Sequence, residues 1–167
     1  TSQLNITGNT IDTNGTNTSI IGIRLLNVLN ASIENNTIYA RAQTTANRGI
    51  FLVSLVNYTR IIGNTLIVNG TSSTIGIFGT TSVLNTTIRN NSIRVTGNDT
   101  ANYGVRFTAS SHNADIIDNR VYVDSVNFTN NNGIRIDTLG FQYTIRDNQV
   151  AVQGTSGAIG IMITSNE

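Results

Sequence analysis

The chain has 167 residues and 17.9 kDa, with 10 Arg, no Lys, no Pro, no Cys, no Trp and a formal charge of +1. Asn, Thr and Ser together make 63 of the 167 residues. This excludes disulfides, thiol chemistry and thiolate metal sites, and the scattered Arg give no nucleic-acid footprint. No stretch approaches the 18 or so continuous apolar residues of a membrane span, so no membrane insertion is expected. Thr1 opens the chain without a charged-then-apolar leader, so no signal peptide is read. The polarity resembles that of a disordered chain, yet 23 Ile with no Pro and no Lys contradict that class.

Order comes from a repeat. The pattern Ile-x-x-Asn-x-aliphatic recurs with its Asn at Asn9, Asn36, Asn64, Asn91, Asn119 and Asn148. A second column is Gly followed by an aliphatic, at Gly22, Gly49, Gly76, Gly104, Gly133 and Gly160. Both run in phase at spacings of 27 to 29 residues, a solenoid period.

Within each repeat the apolar period is 2, so the elements are short strands. A first strand carries the leading Ile, with Ala31, Thr59, Thr86, Ala114 and Tyr143 two residues before it. A second strand follows the Asn, with inward pairs such as Ile38/Ala40, Leu66/Val68 and Val121/Val123. The outward residues between the pairs are Asp12, Tyr39, Ile67, Arg94, Tyr122 and Ala151. A third strand follows the Gly, with inward pairs such as Ile23/Leu25, Ile50/Leu52 and Ile134/Ile136. Three strands per repeat and no helix signal describe one turn of a three-sided coil whose equivalent strands stack in parallel, about 4.8 Å apart.

On these two columns the chain resembles the right-handed parallel β-helices of the pectin-lyase-like superfamily. The resemblance covers Asn5 to Thr164. It implies an all-β, right-handed parallel β-helix of six turns of about 27–28 residues with three short parallel sheets. Residues 1–167 then form one domain, a segment or subunit of a longer or stacked assembly. The superfamily includes lyases, hydrolases, epimerases, phage spikes and surface proteins, so it fixes the fold and leaves the function open.

The Asn column is expected to form an internal ladder, because a buried amide needs partners for its donors and acceptor. Gly8, Asn35, Gly63, Asn90, Asp118 and Asp147 precede it. These types tolerate a left-handed backbone, so each is expected to adopt one. The small column Asn27, Ser54, Thr81, Ala109, Thr138 and Ser165 reads as a second turn ladder. Between the second and third strands lie polar segments of variable length, expected as surface loops.

The resemblance places a substrate groove on the outer face of the Gly-aliphatic strands. Its outward column is Arg24, Phe51, Phe78, Arg106, Arg135 and Met162, and the next is Leu26, Val53, Thr80, Thr108, Asp137 and Thr164. Aromatic rings suit sugar stacking and guanidiniums suit uronates. In lyases of this family an Arg can act as base, so the resemblance makes Arg106, Arg135 and Asp137, with Asp124 nearby, the catalytic candidate. The alternative is a solvated or partner-covered sheet face with cross-strand pairing. The acids do not gather on one face as glycoside hydrolysis needs, and only Asp115/Asp118 and Asp147, which belong to different turns, approach a calcium ligand set, so no metal and no cofactor is implied. His112, the single His, falls in a turn column with Leu29, Asn57, Leu84 and Phe141.

Eleven N-x-Ser/Thr sequons occur. Asn14, Asn17, Asn69, Asn98 and Asn127 fall in the expected loops and are the candidate glycosylation sites. The overall expectation is an extracellular or cell-surface solenoid: a stalk segment, adhesin passenger or filament subunit. Its expected partners are flanking β-helix repeats or copies of itself end to end, and glycans. The alternative is a lyase, hydrolase or non-catalytic glycan-binding module acting on acidic glycans.

Overall fold

The computed structural model describes residues 3–16, 19–43, 45–125, 129–138 and 142–164. Nineteen strands and no helix occur among them. Asn17, Asn127, Phe141 and Ser165 lie outside the described residues, and Thr138 is described by its backbone alone.

The strands form three parallel sheets, each adding one strand per repeat. The first sheet contains Leu4–Thr7, Ala31–Glu34, Arg60–Ile62, Val83–Arg89, His112–Ile117 and Tyr143–Arg146, with the short piece Val56–Asn57 pairing beside it. The second contains Thr10–Asn14, Thr37–Arg41, Thr65–Gly70, Ser92–Gly97, Arg120–Asp124 and Gln149–Gln153. The third contains Ile21–Leu26, Arg48–Val53, Ile75–Thr80, Tyr103–Ala109, Asn132–Thr138 and Ile159–Thr164. The chain is therefore an all-β parallel solenoid of six rungs, separated by five stacking steps.

Register explains why the repeats align. Ile6, Ile33, Ile61, Ile88, Ile116 and Ile145 pair in a single column. Ile23, Ile50, Ile77, Val105, Ile134 and Ile161 form another. Like side chains thus stack on like, and Ile33, Ile50, Ile77, Ile88, Ile116 and Ile134 are fully enclosed. Full burial of one such side chain contributes roughly 1.5–3 kcal/mol. The inner residues of the last rung differ. Ile161 and Ile163 are 46% and 63% exposed, because no described rung lies above them.

Sharp corners are made by left-handed residues in four columns. The first is the one expected from sequence: Gly8, Asn35, Gly63, Asn90, Asp118 and Asp147 all have φ between 54° and 69°. The other three are not evident from residue type. One holds Asn27, Ser54, Thr81 and Ala109, one Asn30, Tyr58, Asn85, Asn113 and Gln142, and one Ser19, Ala46, Ser73, Ala101, Asn130 and Gly157. In the column beginning at Asn27, the backbone N–H groups of Asn27 and Ser54 donate to the carbonyls of Ser54 and Thr80.

Candidate functional site

The Asn column is continuous. In each rung the Asn backbone N–H and its Nδ2 both donate to the Oδ1 of the next Asn, at 2.9–3.0 Å from Asn9 through Asn119. Nδ2 also reaches back to the preceding rung: Asn36 to Ile6, Asn64 to Ile33, Asn91 to Ile61, Asn119 to Ile88 and Asn148 to Ile116. Each interior amide therefore fastens three consecutive rungs. Asn36, Asn64, Asn91 and Asn119 are buried, whereas Asn9 is exposed and Asn148 half-buried.

A second polar ladder lies two residues before the Gly column. The Oδ1 atoms of Asn47, Asn102 and Asn131 accept the backbone N–H groups of Ile20, Thr74 and Asn102. Asn102 also donates Nδ2 to Asn131 Oδ1 at 3.1 Å. Sequence reading missed this column because Ile20, Thr74 and Ala158 interrupt it. The available signal was Asn two residues before Gly in Asn47–Gly49, Asn102–Gly104 and Asn131–Gly133.

The outer face of the third sheet brings the expected column together. Arg24 pairs with Phe51, Phe51 with Phe78, Phe78 with Arg106, Arg106 with Arg135 and Arg135 with Met162. The Phe51 and Phe78 rings stack at 5.2 Å with a 7° interplanar angle. Their facing surfaces are thus occupied by each other. Arg48, absent from the sequence-based candidates, lies 4.4 Å from the Phe51 centroid and 5.2 Å from that of Phe78. Tyr103, in the same column as Arg48, lies 4.5 Å from the Arg106 guanidinium and 5.7 Å from that of Arg135. Strict alternation would turn Arg48 and Tyr103 inward. The glycine column breaks that period, since a Cβ on Gly49 or Gly104 would itself point at the core side chains Leu66 or Val121, and Arg48 and Tyr103 meet outward side chains instead.

Asp137 closes the other half of the face. Arg135 Nε donates to both of its carboxylate oxygens at 2.7 Å, and Arg106 Nε donates at 3.1 Å. Thr164 Oγ1 donates at 2.7 Å. Burial works to raise the Asp137 carboxyl. The hydrogen bonds from Arg135 and Thr164, with the charges of Arg135 and Arg106, outweigh it and hold the group below its ordinary value. Asp124 does not join this cluster, because it sits in the second sheet between Thr96 and Gln153. Arg48 has no carboxylate partner among the described residues. Desolvation by burial, and then the charge of Arg24, lower its pKa.

The remaining candidates are dispersed. Asn14 ends a second-sheet strand and is exposed, and Asn98 lies exposed just after one. Asn69 lies within the strand Thr65–Gly70 rather than in a loop, and is half-buried. His112 is half-buried and pairs with Leu84, which pairs with Asn57. Among the described residues no group of three or more His, Asp or Glu gathers as a metal cage requires. No protein-family model matches the chain, and no curated protein or solved structure matches it significantly. What the geometry establishes is a parallel β-solenoid fastened by buried asparagines.

Proposed function

We propose that the chain is a structural display module: a stiff solenoid segment of a surface stalk, adhesin passenger or filament. The observation that carries this reading is the uninterrupted amide ladder, in which each interior Asn spans three rungs. A rod fastened in this way resists bending between rungs and holds its outer faces at fixed separations. The reading also has the open faces of the end rungs covered by further rungs, from flanking repeats or from a second copy. An extracellular setting, with glycans on Asn14 or Asn98, belongs to the same proposal.

The third-sheet face supports display over turnover. Asp137 already accepts from Arg106, Arg135 and Thr164, so the one acid of the candidate catalytic cluster is engaged by the groups beside it. The stacked phenyl rings cover one face of each other, and Arg48 lies over both. The test is incubation with uronate-containing polysaccharides, followed by the ultraviolet absorbance of unsaturated products. Display predicts no increase. Sustained turnover lost in Arg135→Gln would replace this reading by a polysaccharide lyase.

A further inference from the structure

The amide ladder has a direction, so its two ends differ. Every interior Asn gives its backbone N–H and its Nδ2 to the Oδ1 of the following rung. Asn148 finds no such oxygen among the described residues. Its Nδ2 donates only to the carbonyls of Ile116 and Arg146, and its backbone N–H to nothing described. Asn9 is the converse. It donates to Asn36 and Thr7, and its own Oδ1 accepts nothing among the described residues. The last rung therefore lacks an acceptor, and the first rung lacks donors, at the same position in the repeat.

The other columns end in the same way. From Gly22 to Gly133, a Cβ on each column glycine would lie 2.5–2.7 Å from the carbonyl oxygen of the next glycine. Gly160 is a glycine that no described neighbour requires. Ile159, Ile161 and Ile163 of the last rung are exposed, as is Leu4 of the first, and Ile6 and Ile11 are half-buried. Ile23 and Leu25 are already enclosed, so Leu4, Ile6 and Ile11 carry the apolar surface still open at the lower end. Each strand of the two end rungs has a single neighbour, which leaves one side of its backbone open to strand addition. Their lengths match: four, five and six residues in the first rung, and four, five and six in the last.

We propose that copies of this chain join head to tail, the first rung of one adding in register to the last rung of another. Extending the columns sets that register: Ile6 over Ile145, Asn9 over Asn148, Ile11 over Val150, Gly22 over Gly160 and Ile23 over Ile161. Asn148 then donates to Asn9 Oδ1 of the added copy. Asn9 Nδ2 in turn reaches the Ile145 carbonyl, as Asn36 reaches Ile6 within one copy. No like charges oppose each other on the outer faces, where Thr7 falls over Arg146, Asp12 over Ala151 and Arg24 over Met162. This inference rests on the display reading and assigns its open end rungs to a second copy. The contact is heterologous and does not close, so it builds rods. Each copy adds about 29 Å, from six rungs of about 4.8 Å.

The experiment is sedimentation velocity of the whole chain over a wide concentration range, with two variants that a single copy tolerates. The Cβ of Gly160→Ala meets nothing within 4 Å in one copy, but in the rod it presses on the Gly22 carbonyl of the added copy. Asn9→Ala removes an exposed side chain, but in the rod it removes the acceptor for Asn148. The parent is expected to grow with concentration beyond dimers, and electron microscopy to show rods of constant width. Each variant alone should associate about tenfold more weakly or less. An equimolar mixture of the two should form discrete dimers, because Asn9→Ala keeps an intact last rung and Gly160→Ala an intact first rung. Amide exchange at Asn148, fast in dilute protein, should slow in the assembled sample. Thermal midpoints of the dilute variants check that they remain folded. Monomers at every concentration would overturn the proposal. So would association that neither variant weakens, which marks a side-by-side contact, or a mixture that behaves as its separate components. None of these results removes the display reading, which allows flanking repeats over the same rungs and fails on uronate turnover instead.

Discussion

Asn64 donates twice to a single atom of Asn91: its backbone N–H and its Nδ2 reach Asn91 Oδ1 at 2.9 and 3.0 Å. Removing the Asn91 amide strands both donors in a buried site. It also removes the bonds from Asn91 to Ile61, Arg89 and Asn119. Asn91→Ala is expected to cost about 2–4 kcal/mol, since each buried donor left without a partner costs about 1–3 kcal/mol. The same change at exposed Asn9 should cost under about 1 kcal/mol, because water replaces the lost partner. Denaturant midpoints of the two variants measure the contrast.

The glycine column makes a second contrast. A Cβ on Gly104 would lie 2.6 Å from the Gly133 carbonyl oxygen and 2.1 Å from Val121 Cγ1. A Cβ on Gly160 would meet nothing within 4 Å. Gly104→Ala should therefore lower the thermal midpoint markedly, as over-packing costs about 1–3 kcal/mol, while Gly160→Ala should be near neutral. The glycines are needed because the next rung's backbone passes close by. Equal effects at the two sites would contradict that.

Asp137 sets a pH dependence. Its carboxyl is held below the ordinary value in the fold. Its contribution is therefore complete above about pH 4, the ordinary carboxylate range. It is lost as pH falls through the lower folded value. The difference in thermal midpoint between the parent and Asp137→Asn should be largest near neutral pH and shrink under acid. A difference that stays constant down to acid pH would show that the charge does not stabilise the face.

Ala101 and Ala46 hold left-handed conformations with φ of 65° and 61°. A residue with a Cβ is strained there by about 1–2 kcal/mol, partly offset by the extra unfolded-state freedom of glycine. Ala101→Gly and Ala46→Gly should each raise stability by up to about 1 kcal/mol. Ala114, in a strand of the first sheet, should lose stability on the same change. Calorimetric midpoints distinguish the two kinds of site.

Much of the fold is legible in the sequence because stacking places identical demands on the same position in every rung. Asn64 and Asn91, or Gly76 and Gly104, occupy equivalent sites and so recur as equivalent letters. The corners are less legible. A left-handed position accepts Asn at Asn27, Ser at Ser54, Thr at Thr81 and Ala at Ala109, so no single letter marks it. Arg48 escapes notice because its column reads Ile21, Arg48, Ile75, Tyr103, Asn132, Ile159, and the glycine beside it breaks the alternation. The outward column of the third sheet is legible as a set. What sequence could not show is that Asp137 engages both Arg106 and Arg135, since that depends on rotamers rather than register.

The excess of Asn thereby acquires positions. Asn9, Asn36, Asn64, Asn91, Asn119 and Asn148 build one ladder, and Asn47, Asn102 and Asn131 contribute to another. Asn27, Asn30, Asn35, Asn85, Asn90, Asn113 and Asn130 turn corners.

The proposed rod depends above all on a column of side-chain amides that fastens its rungs. Residue-resolved amide hydrogen exchange probes that column bond by bond. The backbone N–H groups of Asn36, Asn64, Asn91 and Asn119, each held by the next Oδ1, should be among the slowest to exchange in the chain. That of Asn148, beyond which no described rung lies, should exchange far faster. A flat profile, with Asn64 and Asn91 exchanging as fast as Asn148, would show that the amides do not fasten the rungs.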